Sequence, residues 1–97
     1  LLDQLTIETF EPLVGSSFWL YVGDHKIELR LTRAMKVMES EAARLKRNPF
    51  SLYFAAPLLL PQHVYHIRHE AFAEPLEIFL VPLGQQEKHY SYEAVFT

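Results

Sequence analysis

The chain contains no cysteine in 97 residues, which excludes a disulfide framework, a thiolate nucleophile and a thiolate metal centre. It has three glycines, all isolated, so it has neither a phosphate-cradling loop nor a dinucleotide-binding turn. No apolar run approaches the ~18–20 residues of a membrane helix, and no basic-then-apolar leader opens the chain. A cytoplasmic protein without membrane association is therefore expected. Ser16, Ser17, Ser40, Ser51 and Ser91 lack the glycine-framed turn and positioned base that a catalytic serine uses. Glu70 and Glu74 fall in a predicted turn among other charges, with no sign that they converge in a cleft. We expect no enzymatic activity, no catalytic residue, no cofactor and no metal.

What is present is ordinary globular material: 49% hydrophobic and 22% charged residues, enough for one domain over residues 1–97 that folds without staples. The last third sets the pattern. Leu76, Ile78 and Leu80 alternate with Glu77, Phe79 and Val81, and Tyr90, Tyr92, Ala94 and Phe96 alternate with Ser91, Glu93 and Val95. This period of two marks strands with one face on a core. Pro75 and Pro82 bracket the first of these strands, which leaves Leu83–His89 as a seven-residue loop. Upstream, Phe18–Val22 reads as a strand and Gly23-Asp24-His25 as a turn. Lys26–Leu31 alternates cleanly with Ile27, Leu29 and Leu31 inward, and the pattern blurs through Thr32–Met38. Phe50–Ala55 and Val64–Arg68 supply two more strands. Leu5–Phe10 reads as a short helix with Thr6 as N-cap, carrying Phe10, Leu13 and Val14 over one end of the sheet. Leu58-Leu59-Leu60, framed by Pro57 and Pro61, is expected to plug the other end. Residues 39–48 are expected to be a mobile loop. The fold class is mainly β, with about six antiparallel strands in a small barrel or sandwich and a short N-terminal helix.

The net charge of −3 is unevenly spread. Residues 26–47 hold seven Lys and Arg against three Glu, a local +4, which leaves −7 on everything else. Such asymmetry suits an acidic partner or a neighbouring copy of the same chain, and equally suits a solvated strand face. His63, His66 and His69 have the spacing of a metal site on a helix. On a strand, His66 points away from the other two, so polar strand residues with one partly buried imidazole are expected instead.

Trp19 and Tyr21 lie opposite Phe18, Leu20 and Val22, so they face outward if the latter line the core. Outward aromatics favour interfaces. With Arg30, Arg33 and Lys36 they form the candidate interaction set, for a protein partner or self-association. The rival use is a stacking platform of Tyr53, Tyr21 and Trp19 beside a basic groove for a single-stranded nucleic acid, or a small ligand inside the barrel. The acidic net charge makes nucleic acid the weaker partner.

Pro12-Leu13-Val14-Gly15, Pro49-Phe50-Ser51-Leu52, Leu60-Pro61-Gln62, Phe79-Leu80-Val81-Pro82 and Tyr92-Glu93-Ala94-Val95-Phe96 together resemble the signature of an uncharacterised family of small bacterial proteins, catalogued as a domain of unknown function. The resemblance covers nearly the whole chain and departs from the pattern at Thr32–Arg47, which is richer in Lys, Arg and Ala. It implies a compact β domain with no known activity. It also implies gene neighbourhoods that encode phage-tail-collar-like proteins, and with them an accessory or structural role.

Overall fold

The computed structural model describes residues 5–37 and 49–96; the expected mobile loop at 39–48 lies outside them. Six antiparallel strands, β1 (Ser17–Val22), β2 (His25–Lys36), β3 (Phe50–Ala56), β4 (His63–Ile67), β5 (Leu76–Gln86) and β6 (His89–Phe96), form one sheet in the order β1-β2-β3-β6-β5-β4. The two outer strands meet. Trp19 N–H donates to Arg68 O at 2.9 Å and Arg68 N–H to Trp19 O at 2.7 Å, so the sheet curls into a nearly closed barrel and not a sandwich. Inside lie Phe18, Leu20, Ile27, Leu29, Leu31, Phe50, Leu52, Phe54, Ile67, Ile78, Leu80, Tyr92 and Ala94, all at most 5% exposed. These are the inward residues of the period-two pattern.

Two bulges account for the places where the alternation blurs. Leu31 pairs with Phe54 but Arg33 pairs with Tyr53, so Thr32 is an extra residue and β2 continues to Lys36. After the bulge the faces exchange, which is why a strict period of two fails beyond Leu31. The same device corrects the last hairpin. β5 does not stop at Pro82. It pairs Pro82 with Tyr92 and then Gly84 with Ser91, leaving Leu83 as the extra residue. Pro82 lies past Leu80, where the β4 ladder ends, and beside a bulge, two settings in which a strand tolerates proline. Gly84 takes φ 139°, a backbone state that side-chain-bearing residues rarely adopt. The connection is then Glu87-Lys88 alone, closed by the Gln86↔His89 pair.

The first hairpin is equally tight. Val22 pairs with His25 across Gly23-Asp24, and Gly23 at φ 59° supplies the positive dihedral that a two-residue turn needs. At the N-terminus, α1 (Ile7–Phe10) starts from Thr6, whose N–H donates to Thr9 Oγ1 at 3.2 Å. A 3₁₀ turn (Glu11–Leu13) follows, with Pro12 early enough to cost no backbone bond. Phe10 is fully buried, with ring centroids 5.9, 5.8 and 5.5 Å from Phe50, Phe72 and Phe96. It closes that end of the barrel.

The opposite end differs from expectation. Of the Leu58–Leu60 run only Leu60 is buried; Leu58 and Leu59 are 40% and 61% exposed. Hydrogen bonds hold this connector. Tyr92 Oη accepts from Leu60 N–H at 2.6 Å and donates to Leu58 O at 2.8 Å, while Tyr65 Oη donates to Pro61 O at 2.6 Å. Two tyrosines therefore do what hydrophobicity was expected to do.

Candidate functional site

The outer surface of the barrel is banded, because antiparallel registers place outward residues of successive strands side by side. One row runs Met35, Ser51, Val95 across β2, β3 and β6; the β5–β6 ladder ends at Val81↔Glu93, with Val95 two residues beyond it on β6 and Phe79 two residues before it on β5. Phe79 in turn pairs with Val64 of β4. Met35, Phe79, Val64 and Val95 are each between 42% and 54% exposed. They make an exposed apolar belt that is interrupted by the buried Ser51 between Met35 and Val95. Next to it runs Arg33, Tyr53, Glu93, Val81. The Arg33 guanidinium carbon sits 4.8 Å from the Tyr53 ring centroid, and Tyr53 Oη donates to Glu93 Oε2 at 3.0 Å. The third row, Arg30, Ala55, Ser91, Gly84, has small side chains in its middle. Arg30 and Ala55 of this row line a groove of about 330 Å³ together with Glu28, Thr32, Lys88 and His89.

The five candidate interaction residues divide over this surface. Arg30 and Arg33 share the outer face although they are three apart, because the Thr32 bulge absorbs the odd residue. Lys36 pairs with the buried Phe50, so it falls on the opposite parity, exposed at the rim of the barrel. Trp19 is outward but half-buried, with Lys26 Nζ 4.4 Å from its ring centroid. Tyr21 is 55% exposed, and Val22, expected inside, is exposed at the hairpin end. Reasoning from sequence missed Glu93, Val95, Phe79 and Met35. The outward parity of Glu93, Val95 and Phe79 was legible; that of Met35, which lies past the Thr32 bulge, was not, and neither was the placement of β6 beside β3.

A second concavity, about 420 Å³, opens at the β1–β4 seam between Ser16, Ser17, Trp19 and the Arg68–Pro75 segment. At its base His69 joins Ser16. Ala71 N–H donates to His69 Nδ1 at 2.9 Å, so the neutral ring carries its proton on Nε2 and donates to Ser16 Oγ, 2.9 Å away. Ser16 Oγ–H in turn goes to Leu13 O at 2.5 Å. His69 thus presents no lone pair to Ser16 and cannot take the serine proton in this arrangement. The chain of bonds is a latch: it ties the segment before β1 to the segment after β4, with the Phe18 ring 4.4 Å from the imidazole. The other histidines go elsewhere. His63 packs edge-on against Tyr65 and His66 Nε2 meets Glu77 at 3.1 Å, both groups largely exposed. Among the described residues no three metal-ligating side chains converge, and no helix is long and apolar enough to cross a membrane.

Neither a curated protein nor a solved structure matches the chain. Residues 5–96 match the family described as Domain of unknown function (DUF6916). The match takes in the connector held by Tyr92 and Tyr65, both bulges and every strand of the barrel. The chain belongs to that family.

Proposed function

We propose that this domain is a non-enzymatic structural module that works by self-association. The observation that carries it is the interrupted belt of Met35, Val95, Phe79 and Val64, four apolar side chains each about half exposed on the outer face of the barrel. Bare apolar belts of this kind cost solubility until a protein surface covers them. Beside the belt stand Arg33, Tyr53 and Glu93, a polar border of the sort that rims an apolar interface centre. Tyr21, Arg30 and Lys36 extend the set toward neighbouring faces. The setting proposed is a bacterial cytoplasmic one, as an accessory component beside phage-tail-like proteins.

The test is mass-resolved chromatography over a dilution series at two salt concentrations, on the wild type and on Val95→Lys. The wild type is expected to gain mass with concentration. Val95→Lys is expected to remain a monomer with its Tm within a few degrees, because an exposed strand position contributes at most about 0.5 kcal/mol to the monomer. A wild type that stays monomeric throughout sinks the proposal. The rival use, a single strand stacked on Tyr53 with phosphates along Arg30, draws on the Arg30–Lys88 groove. Salt-sensitive retardation of a labelled oligonucleotide by the wild type would move the assignment there.

A further inference from the structure

We infer that the partner is a second copy held face to face across β3, about a two-fold axis that runs parallel to β3 through Tyr53. This deepens the self-association proposed above and rests on it. The argument is the order of charges on the Arg33, Tyr53, Glu93 row. A cation and a carboxylate stand one strand either side of the tyrosine, ~10 Å apart at the usual strand spacing.

Two in-plane axes can place a sheet face on its own copy, and charge decides between them. An axis across the strands leaves each residue facing its own column, so Arg33 meets the partner's Arg33 and Glu93 meets the partner's Glu93. Like charges then oppose twice. An axis along β3 exchanges the two flanking strands. Arg33 then meets the partner's Glu93, and Glu93 meets the partner's Arg33. The same operation lays Met35 on the partner's Val95, so these two exposed apolar side chains cover one another, and it sets Tyr53 against the partner's Tyr53. Each residue pair is satisfied in both directions, as an isologous interface requires. Arg33 already stacks on Tyr53 and Glu93 already accepts from its hydroxyl. Both charged arms are therefore ordered before association, which lowers its entropic cost. A convex barrel meets its copy over only about three strands, a patch at the small end of specific interfaces, so the dimer is expected to be concentration-dependent.

Charge reversal tests this directly. Arg33→Glu puts two carboxylates against each other across the axis, and Glu93→Arg puts two guanidinium groups there. Each variant alone is expected to lose about 100-fold in self-affinity and sediment as a monomer. Mixed in equal amounts, the two are expected to form a heterodimer, because every contact again joins opposite charges. If the wild type dimerises but the mixture does not, or if either single variant dimerises as the wild type does, the two-fold arrangement is wrong while self-association stands. A wild type that never dimerises removes both. Should a charge reversal fail to fold, the absence of native cysteine offers a second measurement. Under mild oxidation Tyr53→Cys, on the axis, is expected to cross-link with itself and Tyr21→Cys, on another row, is not. The reverse result overturns the arrangement.

Discussion

Tyr92 ties the Leu58–Leu60 connector to the barrel through one hydroxyl. It is fully buried, and its hydroxyl satisfies both Leu60 N–H and Leu58 O at the end of the barrel. Burial pushes its phenol above the usual tyrosine range; the Leu60 amide opposes that shift and nearby Tyr90 adds to it. Tyr65 is raised the same way, by burial first and then by Tyr92. Because the folded phenols hold their protons more tightly than the unfolded ones, the stability they supply is whole below pH 10.0 and is lost as pH rises through the raised values. Tyr92→Phe strands a buried donor, Leu60 N–H, and a part-buried acceptor, Leu58 O. It is expected to cost about 1–3 kcal/mol at neutral pH and to flatten the alkaline loss of stability, both read from denaturant titrations at several pH values. An unchanged midpoint would show that the connector rearranges to find other partners.

Among the elements, the β5–β6 hairpin shows how far local signals reach. Its turn lacks the Asn-Gly or Asp-Gly pair that announces a two-residue connection, and Pro82 argues for an early strand end. The structure instead carries the strand on with a bulge and places Glu87 at φ 51°. A β-carbon in this left-handed region costs roughly 1–2 kcal/mol. Glu87→Gly is therefore expected to raise stability by up to about 1 kcal/mol, which for a domain of this size lifts Tm by about 4–8 °C. A fall in Tm would mean that the Glu87 carboxylate has a role that the backbone strain conceals. The β2 bulge at Thr32 has the opposite consequence, for the surface and not for a turn: it delivers Arg33 to the outer face beside Tyr53.

For the whole molecule, closure of the barrel rests on a narrow seam. The Trp19 and Arg68 backbones exchange two hydrogen bonds, and the His69–Ser16–Leu13 latch lies just beyond them. Arg68→Pro removes the N–H that donates to Trp19 O. We expect a loss of about 1–3 kcal/mol and, because two strand edges are then bare, concentration-dependent aggregation visible by light scattering. A variant that melts as the wild type does would show that the interior packing closes the barrel without the seam.

The sequence by itself determined the elements and their faces. Period-two alternation placed Leu76, Ile78, Leu80, Tyr92, Ala94 and Phe96 inside, and all are buried; Thr6 and Phe10 announced the helix that covers one end. These signals are local, since the parity of a strand is set by neighbours two residues away. Only the tertiary structure decided what a strand lies against. Tyr53 and Glu93 are 40 positions apart, and no local pattern says that β3 and β6 are neighbours. The barrel's closure depends likewise on one distant backbone pair, Trp19 with Arg68. The candidate site is made of such non-local pairings, so the sequence supplied its outward residues while the order of the strands set Arg33, Tyr53 and Glu93 in one row.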